Sequence, residues 1–200
     1  MAKILGIVTG IILLCVSVSA QNLVSRNGNL DNNTQAVLAI DYEHHEVHAG
    51  SHFTFSAIDA DLDIIDTMAF IITTPNTTKW AHMIFLVNGQ LATKVELLET
   101  TTRGLGVTQL DYNNDRNSAD TSGIAICIMG DGGSDGTVIF TDRFGIDTGV
   151  GIGKVAGGGA SRGTHEWILK QNTKYLFRVT SATDDNVASV GLSWYEHTNK

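Results

Sequence analysis

The chain has 200 residues, 42% of them hydrophobic and 17% charged, with a formal net charge of -8. A single domain of that size buries about 70% of its unfolded surface and needs no disulfides to stay folded. Thirteen scattered Lys and Arg against twenty-one Asp and Glu exclude a surface built for nucleic acid, whose phosphate backbone is gripped by clustered cations.

The first twenty residues, MAKILGIVTGIILLCVSVSA, read as a separate element. Lys3 is its only charge, the apolar run from Ile4 to Val18 is short for a span of about 20 residues, and Ala20 with Val18 makes a small-residue end. That is the layout of a cleaved signal peptide, with an uncleaved anchor or a mis-assigned start as the other readings. Removal of the leader takes Cys15 with it and leaves Cys127 alone, flanked by Ile126 and Ile128, where a small buried hydrophobe is expected and a reactive thiolate is not. Residues 21–35 are polar and Asn-rich and read as a linker or extended arm.

From residue 36 to residue 200 the pattern predicts one all-β domain, a sandwich or jelly roll of about ten strands. Short runs rich in Val, Ile, Thr, Phe and Tyr recur: AVLAIDYE, HFTFSA, IIDTMAFIIT, WAHMIFLVN, ATKVELLETT, GVTQLDY, GIAICIM, TVIFTDRF, KYLFRVTSA and VASVGLSWYE. With one Pro and 21 Gly, the turns fall to Gly, Asn and Asp. Asn88–Gln90 gives the best local hairpin signal. In the TKYLFRVTS segment, Tyr175, Phe177 and Val179 alternate with Lys174, Arg178 and Thr180, and only Leu176 breaks the half-buried pattern. THEWILKQN fits one helical turn or a short strand. The glycine-rich Gly145–Gly163 stretch predicts a mobile loop that orders, if at all, in an assembly.

Four of the seven histidines crowd into Asp41–Phe55, DYEHHEVHAGSHFTF. As an extended strand this puts His44, Glu46, His48 and His52 on one face, so that His44, Glu46 and His48 are the candidate metal ligands. The competing reading makes His44 and His48 neutral imidazoles on a strand rim or subunit interface. The zincin motif is absent, because the fifth position after His45-Glu46 is Ala49. Tyr42-Glu43-His44 is echoed by Tyr195-Glu196-His197, which places the first and last strands side by side. Trp80, Trp167, Trp194 and Tyr195 are interface candidates with a plain core role as the alternative.

Other chemistry finds little purchase. Val155 follows Gly153-Lys154 where a phosphate loop needs Ser or Thr, and Lys154 takes the third glycine of the dinucleotide pattern. Asp131, Asp135, Gly136 and Asp142 match part of a calcium loop, with Gly133 in place of a ligand. Asp59, Asp61 and Asp63 alternate along one exposed face. There is no G-x-S-x-G elbow. No catalytic residue, cofactor or metal is therefore assigned, and the chain is read as a non-enzyme.

The blocks YEHHEVHAGSHF (42–53), TTPNTTKWAHM (73–83), NNDRNS (113–118), EWILKQNTKYLFRVTS (166–181) and SWYEHTNK (193–200) resemble, in their order and spacing, a family of tailed-phage virion structural proteins. The resemblance covers the chain from about Tyr42 to its end. It implies a structural subunit of the particle, either capsid decoration or tail or fibre associated. Its partners would be copies of itself, as a symmetric oligomer such as a trimer, and other virion proteins, with no nucleic acid and no membrane for the mature domain. The leader pulls the other way, since tailed phages assemble inside the host cell. It favours an exported bacterial β-sandwich that binds a glycan or cell-surface partner in a secreted or periplasmic setting.

Overall fold

The computed structural model describes residues 42–145, 156–159 and 165–198. The leader, the polar arm, residues 36–41 and most of the glycine-rich stretch lie outside the described residues. A compact unit runs from Tyr42 to Lys200. It contains one helix, α1 (Tyr42–His48), and twelve described strands. These are β1 (His52–Leu62), β2 (Thr67–Thr73), β3 (Lys79–Gly89), β4 (Thr93–Glu99), β5 (Leu105–Thr108) and β6 (Tyr112–Asn113). They continue with β7 (Ala125–Met129), β8 (Thr137–Phe144), β9 (Ala156–Gly159), β10 (Trp167–Leu169), β11 (Lys174–Ser181) and β12 (Asn186–Thr198).

Two antiparallel sheets pack face to face as a β-sandwich. The first has the order β10-β3-β12-β1-β6, with β9 also pairing β3, and the second has the order β5-β7-β2-β11-β4-β8. Because side chains alternate along a strand, each strand sends every second residue inward. Phe53 and Phe55, Met83, Phe85 and Val87, and Val190, Leu192 and Trp194 from the first sheet meet Phe70 and Ile72, Val95 and Leu97, and Tyr175, Phe177 and Val179 from the second. Aromatic pairs knit the layers: Phe85 lies 5.0 Å from Phe177 and Phe55 5.1 Å from Phe70, centroid to centroid.

Leu176, the residue out of pattern, has a physical account. It joins Ala69, Ile71 and Leu98 in a second buried cluster on the outer face of the second sheet. The segments after β4 and β7 fold over that face, where Ser134 bonds Thr101 and Thr102 and Asp135 pairs with Arg178 and Arg103. The second sheet is thus covered on both sides around β2 and β11.

Arg178 also donates to Glu96 (2.9 Å). Hydrogen bonds from Arg103 and then Arg178 hold the Asp135 carboxyl below its usual range. Burial works to raise Glu96, but the bonds from Lys94 and Arg178 outweigh it and leave that carboxyl lowered too. A carboxyl depressed in the fold contributes stability above its unfolded value of about 4 and loses it as pH falls through the folded value. The contribution of these two carboxyls to thermal stability should therefore be flat from neutral pH to about 5 and fall steeply below about 4. Arg178→Met should cost about 2 kcal/mol, less than the about 3–5 of breaking a fully buried pair, and should flatten that acid limb. Melts from pH 7 to pH 2.5 check both.

Three expectations are corrected. Tyr42–His48 is a helix, and its end is a glycine cap: Gly50 has φ 71°, its N–H bonds the Val47 carbonyl, and the Ser51 N–H bonds that of Glu46. Asn88–Gln90 does not form a hairpin, since β3 lies in the first sheet and β4 in the second. The flanks of β3 are taken by β12 and by β9 and β10, and those of β4 by β11 and β8, so the connection crosses between layers. GVTQLDY divides into β5 in one sheet and β6 in the other. THEWILKQN supplies the strand β10, and Cys127 is buried and free in β7. The first and last strands of the sandwich, β1 and β12, pair along almost their whole length.

Candidate functional site

His52, His82 and His197 gather at one end of the outer face of the first sheet. Register sets His52 of β1 beside Tyr195 of β12, and Tyr195 beside His82 of β3. The three form a row across the central strands and are all buried. His197, two residues beyond Tyr195, stands beside Trp80 in the register and diagonal to His82. α1 lies against this end: the Tyr42 ring is 5.6 Å from Tyr195 and 5.8 Å from His197. The echo between Tyr42-Glu43-His44 and Tyr195-Glu196-His197 thus reflects a contact, made by a helix against a strand.

Two carboxylates serve the row. Glu166, just before β10, accepts from His82 Nδ1 (3.0 Å) and from the Tyr195 hydroxyl (3.2 Å). Glu43 of α1 lies 3.1 Å from His52 Nε2, which also meets the Ser193 hydroxyl at 3.3 Å. His82 stacks on Tyr195 at 4.8 Å and 11° between planes. Its far nitrogen, Nε2, faces His197 Nε2 at 2.9 Å.

The predicted trio of His44, Glu46 and His48 does not assemble. On a helix, His44 and His48 share one face, and their Nε2 atoms lie 3.0 Å apart on the exposed side. Glu46 points inward, is buried, and accepts from the Ser51 hydroxyl beside His45. Burial acts to raise the Glu46 carboxyl, yet hydrogen bonds from Ser51, Tyr42 and His45 bring it below its usual range. Burial and then the Glu46 carboxylate push the Tyr42 hydroxyl up.

Of the interface candidates, Trp194 is fully buried in the core and Tyr195 is buried under α1, while Trp167 is half-buried at 6.1 Å from Phe140. Trp80, His44 and His48 remain on the surface. The calcium-loop residues do not converge on one point, since Asp135 is committed to Arg103 and Arg178 and Asp142 sits within β8. Asp61 and Asp63 meet Asp185 in an exposed acidic cluster.

Beside α1 opens a groove of about 630 Å³ lined by Val47, Thr54, Tyr112, Asn113, Asn114 and Arg116. Arg116 lies over the exposed Tyr112 ring at 5.3 Å. His82, Glu166 and this groove carry no signal in the sequence, and His197 stands out there only through the echo of Tyr42-Glu43-His44. Alternation would have placed Tyr195 and His197 on one face of β12, but no local motif joins them to His82. No family model, curated protein or solved structure matches this chain, so its function is read from its own residues.

Proposed function

We propose that this chain is a non-enzymatic structural subunit of a phage particle, a capsid-decoration or tail-associated protein that acts by assembling with copies of itself and with other virion proteins. The likeness of its five sequence blocks supports the particle. The observation that carries the adhesive role is the β5 edge of the second sheet. All four residues of β5 are exposed and uncharged, with Val107 at 70% exposure and Leu110, just beyond it, at 73%. The opposite edge, β8, carries Asp142 and Arg143. Charges on an edge strand discourage pairing with another chain, and an uncharged apolar edge invites it.

The purified protein runs as an oligomer on this reading and co-sediments with particles. Val107→Asp should convert it to the protomer mass in light scattering, while the melt of the domain itself shifts by no more than about 0.5 kcal/mol. A wild-type protein that keeps the protomer mass at high concentration and ignores particles overturns the proposal.

The groove beside α1 favours a second reading, an exported binding module. A half-exposed Tyr112 ring with Arg116 over it and Asn114 beside it suits a glycan, whose hydroxyls bond these polar groups. The mass of the native N-terminus separates the two. A chain beginning at Gln21 in a secreted or periplasmic fraction supports the module, and Met1 or Ala2 retained in a particle supports the virion subunit.

A further inference from the structure

We propose that His82 and His197 form a two-imidazole site for a tetragonal divalent cation of the copper type, with Glu166 as its positioning residue. His82 Nδ1 lies 3.0 Å from a carboxylate oxygen of Glu166 and His197 Nδ1 lies 3.1 Å from the carbonyl oxygen of Thr198. Both partners only accept, so each Nδ1 carries its hydrogen. The Nε2 lone pairs of the two rings then converge across 2.9 Å, with the ring centroids 4.6 Å apart, the arrangement of two imidazoles aimed at one shared ion.

The arrangement has the features of a metal pair. A ligating histidine ordinarily gives its other N–H to a carboxylate or a backbone carbonyl, which fixes the tautomer and aims the free nitrogen. Here one ring has each kind of acceptor. The rings are further held by the Tyr195 face under His82 and the Tyr42 edge against His197. Distance selects the ion. Nitrogens about 2.0–2.1 Å from a shared ion and 2.9 Å from each other subtend roughly a right angle at it, whereas tetrahedral zinc would need about 3.4 Å. Right angles between imidazoles belong to square-planar and tetragonal Cu²⁺ and Ni²⁺, and Cu²⁺ binds more tightly of the two.

Among the described residues, the titratable groups facing the pair are Glu166 before β10, Tyr195 on β12, and Tyr42 on α1, with His45 stacked behind Tyr42.

The test is titration of the full chain with Cu²⁺ at neutral pH, followed by calorimetry and electron paramagnetic resonance. The background carries His44→Ala and His48→Ala, which removes the exposed helical pair. One equivalent should bind with an axial spectrum showing nitrogen couplings. Either His82→Ala or His197→Gln should weaken binding at least tenfold and remove a nitrogen from the spectrum. Glu166→Gln should weaken it by about 10–100-fold while the nitrogens remain. Circular dichroism confirms folding. Should His82→Ala unfold, His197→Gln at the half-buried strand end decides alone. Affinity unchanged within twofold in the folded variants overturns the proposal, as does nitrogen NMR showing one proton shared by the two rings with no copper uptake.

Discussion

Replacing Glu196 with alanine should destabilise the domain by about 3–5 kcal/mol, among the largest effects open to a single side chain here. Glu196 is 5% exposed and lies on the inward side of β12, opposite Ala81. Its carboxylate accepts from the Ser122 hydroxyl (2.7 Å), the Gly123 N–H (3.0 Å), the Ile124 N–H (3.3 Å) and the Trp194 indole N–H (3.1 Å). A carboxylate this deep is tolerated because several donors replace its water. Those donors in turn depend on it. They come from the segment that leads into β7 and from the most buried tryptophan, so one side chain ties the second sheet's entry strand to the first sheet. Alanine leaves the buried N–H groups without an acceptor, at about 1–3 kcal/mol each before relaxation. Glu196→Gln keeps the volume but turns an amide donor toward other donors, and should cost about 2 kcal/mol. Urea denaturation with an unchanged slope reads both. A loss below about 1 kcal/mol for the alanine variant would mean that water substitutes freely at this end of the sandwich. The adjoining Gly123 belongs to the same arrangement, because a Cβ there would come within 2.9 Å of the Glu196 carboxylate and 3.1 Å of Pro75.

The sandwich was legible wherever one face of a strand is wet. Tyr175, Phe177 and Val179 alternate with polar neighbours because only their side meets the core, and that rhythm of two survives in the sequence. Leu176 broke it because the loops after β4 and β7 bury the other face as well, and nothing local announces a loop that returns from a distance. α1 was illegible for the opposite reason. Its buried residue is Glu46 and its exposed ones are Tyr42, His44, His45 and His48, so it has no apolar stripe to read. Its glycine cap at Gly50 stands in the sequence, but a glycine marks bends and turns as readily as a helix end. The histidine row shows how far such a reading reaches. The crowd at His44–His52 was visible, whereas its partners His82, Glu166 and His197 arrive from three other segments through strand register. Register is set by the whole sheet and by its turns, so no window of sequence contains it. The same holds for Asn88–Gln90, whose hairpin chemistry was overridden because both neighbours' edges were already occupied.

That crossing is where the second large effect is expected. Asn186 is fully buried at the start of β12. Its side-chain oxygen accepts from the Leu91 N–H (2.8 Å), and its amide nitrogen donates to the Thr93 hydroxyl (3.0 Å) and the Ser181 hydroxyl (3.1 Å). Leu91 and Thr93 belong to the passage from β3 to β4, and Ser181 ends β11 before the passage to β12. Both passages change sheets, so one amide fastens two crossings together. Asn186→Ala should cost about 2–3 kcal/mol by stranding the Leu91 N–H. Asn186→Asp has nearly the same shape yet should be worse, about 3–5 kcal/mol at pH 7. The hydroxyl protons of Thr93 and Ser181 are already given to the carbonyls of Leu91 and Thr183, so a carboxylate would set its charge against two oxygens with nothing left to donate. The order wild type, alanine, aspartate in thermal melts is therefore the expected result. If aspartate proved no worse than alanine, the two hydroxyls would be free to reorient, and the crossings would be held by the backbone bonds Gln90 N–H to Val187 and Ala182 N–H to Ala92.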